Sequence, residues 1–207
     1  MQEQISLAGF ETGVVAKPRD RLFFAIFPDS DSATYVSQLA HRLRGEHGLK
    51  GKPLATDRFH ITLQLIGDFA GLSPRIVAAA REAASTVVMP PFEVAFDRVM
   101  SFSGRPSNRP FVLRGGDVDL AALVAFQRSL CAALAKVGLV AKSAFTPHVT
   151  LLYDDRLVTE QLVETVRWTA HEFVLVHSLL GKTVHVPLAR WPLLSQTARL
   201  PQDKGRE

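Results

Sequence analysis

Two short stretches of this chain carry the same pattern of side chains, His60-Ile61-Thr62-Leu63 and His148-Val149-Thr150-Leu151. In an extended strand alternate residues point the same way, so each stretch presents one imidazole beside one hydroxyl while the aliphatic residues turn to the other face. Two imidazoles are what cleavage of a phosphodiester requires. One takes a proton from the attacking water, and the other gives a proton to the departing alkoxide. With an ordinary pKa of about 6.5, both protonation states are available near neutral pH. The threonine hydroxyls can donate hydrogen bonds to the non-bridging phosphate oxygens, where negative charge grows in the transition state.

One His-x-Thr is an ordinary feature of a strand, and its repetition is the signal. Polar His and Thr add nothing to the core of a sheet, so packing gives no reason for a second copy. Neither motif has Cys, Asp or Glu at metal-ligand spacing, which argues against zinc, and the scheme calls for no metal and no cofactor. The single cysteine, Cys131, excludes an internal disulfide and a thiolate cluster. It lies in the apolar helical pattern Ser129 to Leu134, so it belongs to a core and not to a nucleophilic site. Gly181-Lys182-Thr183 lacks the earlier glycine of a phosphate loop. His171-Glu172 with His177 has one residue too many for a zinc-protease signature and sits in a strand-like run.

The elements around the motifs come in matching order. Arg21 to Phe27 is an aromatic-rich apolar run closed by Pro28, a buried strand. A helix follows from Asp31 to Gly48, then an amphipathic strand from Phe59 to Ile66. Ser73-Pro74 opens an alanine-rich helix to about Val87, and Pro90-Pro91 leads into a strand from Phe92 to Phe96. The second half begins after the loop Ser103 to Pro110, with a strand at Phe111 to Leu113 and a helix from about Val118 to Val137 that Gly138 ends. The spacing then predicts a strand from Pro147 to Tyr153, a helix from Thr159 to Trp168, a strand from Glu172 to Leu180, and a hairpin partner from Val184 to Leu188 across Gly181. This is an α+β chain with a duplicated, bilobal fold: two small sheets with flanking helices around a central cleft. Residues 1–20 and 195–207 read as polar extensions around a single bilobal domain, 21–194.

The chain of 207 residues is 47% hydrophobic with a formal net charge of +4, so it can bury a core and leans towards anionic ligands. It has no apolar run of membrane-spanning length and no secretory signal at its start. The expectation is a soluble cytoplasmic protein with no membrane and no obligate protein partner.

The paired motifs, with Arg21-Leu-Phe-Phe-Ala25, Phe145-Thr-Pro-His-Val-Thr-Leu151 and Ser178-Leu-Leu-Gly181, resemble the 2H phosphoesterase superfamily, and within it the RNA 2′,3′-cyclic phosphodiesterases, also called 2′-5′ RNA ligases. The resemblance runs from about Arg21 to Leu194. It implies hydrolysis of an RNA-type 2′,3′-cyclic phosphate to a 2′-phosphomonoester without metal, with reverse 2′-5′ ligation as a companion activity. His60 would be the acid, His148 the base, Thr62 and Thr150 the phosphate-binding hydroxyls, and RNA ends or nucleotides bearing a cyclic phosphate the partners. The chain departs from its relatives at Tyr153, where they often carry arginine, and at Gln64, where they are often basic. Arg156, Arg58, Arg105 and Arg109 are candidate replacements, and Tyr153 and Arg156 candidate substrate contacts. Two alternatives stand beside this reading: a 2H phosphodiesterase for another small cyclic or linear nucleotide phosphate, and a non-catalytic binder of RNA ends.

Overall fold

A computed structural model describes residues 17–116, 120–139 and 145–194. The rest of the expected N-terminal extension, the tail from 195 and the expected helix start at Val118 lie outside the described residues. Eight strands run β1 Asp20–Ile26, β2 Ile61–Phe69, β3 Phe92–Ser101, β4 Arg109–Arg114, β5 Val149–Asp154, β6 Gln161–Ala170, β7 Glu172–Leu179 and β8 Val184–Pro192, and the helices are α1 Ser30–Glu46, α2 Pro74–Ser85 and α3 Ala121–Lys136.

The local signals act where physical chemistry puts them. The Asp29 carboxylate caps α1 by accepting from the Ser32 N–H at 2.8 Å. Pro74 starts α2, where a missing N–H costs nothing. Gly181, at a φ of +80°, turns β7 into β8.

The strands form one antiparallel sheet in the order β6-β3-β4-β5-β2-β1-β7-β8, where two separate small sheets were expected. The halves meet at a seam between β2 and β5 that consists of one residue pair, Ile61 with Val149. The duplication survives on either side of it, since β1-α1-β2 and β4-α3-β5 are both strand, helix, strand. Their neighbours are exchanged, however: β3 follows β2 in sequence but pairs with β4, and β7 pairs with β1. The helices cross the seam as well. α1 leaves β1 and packs on β5 and β6, whereas α3 leaves β4 and packs on β2 and β3.

A second correction concerns residues 159–168, expected as a helix, of which 161–168 lie in β6. Val166, Trp168 and Ala170 alternate as buried residues against β3, and the β-branched Val163, Thr165, Val166 and Thr169 favour the extended form. The main core lies between the sheet and the helices, around Phe24, Phe96, Phe111, Phe126 and Phe173. A smaller apolar cluster of Phe23, Ala25, Val174 and Val176, with Phe27 and Leu65 against it, covers part of the opposite face.

Candidate active site

Both histidine motifs arrive at the seam. Ile61 and Val149 pair with each other and face the main core, so His60, Thr62, His148 and Thr150 belong to the opposite, helix-free face. Thr62 lies beside Ala25 of β1, which belongs to the smaller apolar cluster on that face, and Thr150 lies beside Val112 of β4. In an antiparallel pair, the residue before one partner lies across from the residue after the other. His60 is thereby set towards Thr150, and His148 towards Thr62. The strand neighbourhood expected for each motif is present, and the two are side by side.

Each imidazole is held by the same device. His60 Nδ1 lies 2.8 Å from the Arg58 carbonyl oxygen, and His148 Nδ1 lies 2.7 Å from that of Thr146. A carbonyl can only accept, so Nδ1 carries the hydrogen in both rings and Nε2 is left to exchange protons. The surroundings differ. His60 packs against Phe23, Phe27 and His185, with ring centroids 5.2, 5.8 and 5.2 Å away. His148 has Phe102 at 4.9 Å. Burial lowers the pKa of His60 to about 4 against the pull of its bond to Arg58, and the charges of His185, His148 and Arg58 lower it further. Burial also lowers the pKa of His148, and the Arg114 guanidinium adds to the effect.

The two departures from the resembling family have structural accounts. Each motif ends in a bulge, so pairing skips Leu63 in β2 after Thr62 and Leu151 in β5 after Thr150. Gln64 is turned to the core side by that slip, and its Oε1 accepts from Cys131 Sγ of α3 at 3.2 Å. It does not line the site. Burial raises the Cys131 pKa, as suits a packing residue. Tyr153, by contrast, pairs with Pro110 on the histidine side and is 44% exposed, free to meet a ligand. Arg156 is occupied elsewhere, its Nη1 donating to the His47 carbonyl at 2.7 Å beyond the end of α1. Arg109 donates to the carbonyls of Pro106 and Asp155.

Three side chains near the imidazoles escaped the sequence reading. Arg114 stands two residues after Val112 on the same face of β4, and its Nε is buried without a partner among the described residues. Alternation from Val112 was the available signal for it. Phe102 follows β3, and His185 reaches the site from the outer hairpin strand β8; neither belongs to a local motif. No cluster of three or more metal-ligating side chains occurs among the described residues, and no helix there is long and apolar enough to cross a membrane.

A family model of the 2′-5′ RNA ligase superfamily matches residues 27–182. Among solved structures, a phosphoesterase is 26% identical, with a TM-score of 0.67 over 86% of this chain and 100% of its own. E. coli LigT complexed with NADP+ is 26% identical, with a TM-score of 0.66 over the same shares. TT0787 of Thermus thermophilus, at 20% identity and a TM-score of 0.62 over 84% of this chain and 97% of its own, shows the likeness of fold. No curated protein matches the chain.

Proposed function

Because this chain belongs to the 2′-5′ RNA ligase superfamily of phosphodiesterase-type enzymes, we propose that it hydrolyses the 2′,3′-cyclic phosphate of an RNA end or nucleotide to a 2′-phosphomonoester by two-histidine acid/base catalysis. The observation that carries this reading is the pair of imidazoles at the β2/β5 seam, each with Nδ1 fixed on a main-chain carbonyl and Nε2 left for proton transfer.

In this mechanism His148 Nε2 removes a proton from water as the oxygen attacks phosphorus. The P–O3′ bond breaks, and His60 Nε2–H protonates the departing 3′ oxygen, so the products are a 2′-phosphate and a free 3′-hydroxyl. The assignment of acid and base follows the family resemblance, and because burial lowers the pKa of His60 to about 4, its acid role requires the charge of the bound phosphate to favour the imidazolium. Thr62 and Thr150 donate to the non-bridging oxygens, and Arg114, whose charge reaches His148 and whose Nη1 is shared with Glu160 at 3.5 Å, is the cation that stands on the same face in place of one at Tyr153. With a 5′-hydroxyl in place of water as the nucleophile, the same steps open the cyclic phosphate into a 2′-5′ phosphodiester and leave a free 3′-hydroxyl.

The test is hydrolysis of nucleoside and oligonucleotide 2′,3′-cyclic phosphates, with the position of the product phosphate determined, before and after exhaustive chelation. A 2′-phosphate formed at an unchanged rate in EDTA is the expected result. A 3′-phosphate product would overturn the proposed regiochemistry, and activity lost in EDTA and restored by zinc or manganese would overturn the acid/base scheme.

A further inference from the structure

A third imidazole stands beside His60, outside both motifs. His185 is the second residue of β8 and lies across from Ser178 of β7. Its ring meets the His60 ring at 79° with centroids 5.2 Å apart, and meets Phe23 at 75° and 5.5 Å. Phe23 also touches His60, so the three rings close on one another. The Arg58 carbonyl fixes Nδ1 of His60, but one hydrogen bond leaves the ring plane free to tip, and Phe23 and Phe27 meet it at the shallower angles of 34° and 41°. The near-perpendicular contact comes from His185.

Holding His185 there costs stability. Thr183 leads into β8 at a φ of +55°, a left-handed conformation that a β-branched residue rarely adopts. His185 Nδ1 is buried without a hydrogen-bond partner among the described residues. A phenylalanine would fill the same space without an orphaned nitrogen, so packing alone does not call for imidazole. What imidazole adds is a charge that depends on pH.

The groups around the pair set when that charge appears. Asp57 and Arg58 come from the turn at residues 56–58 and His148 from the entrance to β5, whereas β1, its end and β7 bring Phe23, Phe27 and Ser178, which carry no charge. Farther along the wall that His185 shares, Arg190 is paired with Glu172, and Asp29 caps α1. Burial lowers the pKa of His185, the Arg58 charge lowers it further, and Asp57 raises it. His60 is the more deeply enclosed of the two, so on acidification His185 takes its proton first and then opposes a charge on His60.

We infer that His185 is the positioning residue of His60: its ring sets the tilt of the His60 imidazole on the carbonyl anchor, and its own protonation competes with that of His60. The inference rests on the acid role proposed for His60.

The experiment reads His60 directly. Long-range proton–nitrogen correlation spectra of the imidazoles, recorded on the isotope-labelled full chain, report the tautomer and titration midpoint of each ring, with thermal melting as the check on folding. In the parent, His60 should be a single tautomer with its hydrogen on Nδ1 and should titrate at about 4. His185→Gln, which keeps polarity and removes the charge, should raise that midpoint by roughly 0.5 pH or more. His185→Ala, which removes the ring, should let the two His60 tautomers interchange. In cyclic phosphate hydrolysis it should lower kcat about tenfold while KM changes by less than about threefold, and His185→Phe should recover most of that loss by restoring the ring. A His60 midpoint unmoved in His185→Gln, together with a single unchanged tautomer in His185→Ala, would overturn the inference, and so would a loss confined to KM. If His185→Ala does not fold, the midpoint in His185→Gln decides alone. A chain inactive on cyclic phosphates whose His60 still responds in the spectra would sink the reaction and leave the positioning role standing.

Discussion

At the scale of single residues, the environment of each imidazole sets when it carries a proton. Burial lowers both values, to about 4 at His60, so in the free protein both rings are neutral near pH 7. The active form has one proton on the pair. The bell-shaped profile of kcat/KM should therefore be centred below about pH 6.5, the ordinary imidazole value, and that of kcat should move upward because bound phosphate favours an imidazolium. Steady-state kinetics across pH checks this, and two limbs of kcat/KM both above pH 7 would contradict it. His60→Ala and His148→Ala should each lower turnover about 10²–10⁴-fold at little change in melting temperature, and Thr62→Ala and Thr150→Ala less, since each removes one hydrogen bond and leaves the proton path intact. The same shift bears on stability. A histidine kept neutral by the fold contributes most above its unfolded pKa of about 6.5, and the contribution is lost as pH falls towards about 4. Denaturant titrations of His60→Gln should thus show a flatter loss of stability across that acid window than the parent, by on the order of 2–3 kcal/mol. A parallel slope in both proteins would mean that His60 is not buried as neutral imidazole.

Among the elements, β5 is held by a strap formed by residues 49–54. Leu54 N–H donates to the carbonyl of the bulged Leu151 at 2.8 Å, and one Asp154 oxygen accepts from the N–H groups of Lys50 and Gly51, both at 2.7 Å. Burial works against ionisation of Asp154, but the backbone donors, including Arg156 N–H, outweigh it and hold the pKa at about 2. Gly51 is required by the close approach, since a Cβ there would stand 2.0 Å from the Tyr153 carbonyl oxygen. Asp154→Ala should cost roughly 2–4 kcal/mol by leaving three backbone donors unpaired, and Gly51→Ala should be of similar severity, both measurable by chemical denaturation. A loss below ~0.5 kcal/mol in both would show that the strap is incidental. None of this is visible in the chain as letters, because a strap is a long-range pairing. What was legible was periodic: β1, α1, α2, α3 and the β7/β8 hairpin follow from apolar spacing and caps. Residues 159–168 misled because Leu162 and Val166 stand at helical spacing, although Leu162 is 76% exposed on an edge strand and only Val166, Trp168 and Ala170 pack inward. Gln64 misled for a related reason. Strict alternation has no place for the bulge that turns its side chain to α3.

For the molecule as a whole, the duplicated motifs announced two matching halves but not how they are joined, since the order of strands in sequence does not say which half each one enters. That join decides how the catalytic pair is kept together. A single residue pair at the seam is a weak link in isolation, yet β3 and β7 are exchanged between the halves, and α1 and α3 pack across on the strands of the other half. Opening the seam would leave the other strand pairings intact but strip α1 from β5 and β6 and α3 from β2, and divide the one main core, so the seam that carries His60 and His148 should persist until the entire fold is lost. The two tryptophans provide the test. Trp168 is buried in β6 and Trp191 lies in β8, at opposite edges of the sheet. Fluorescence of Trp168→Phe and Trp191→Phe variants therefore reports one half each. After correction for any shift of midpoint common to all probes of a given variant, each tryptophan should unfold in step with far-ultraviolet circular dichroism, in one transition. If either edge melted ahead of the backbone signal, the halves would be separable units, and the distance between the two imidazoles would be free to vary in the folded protein.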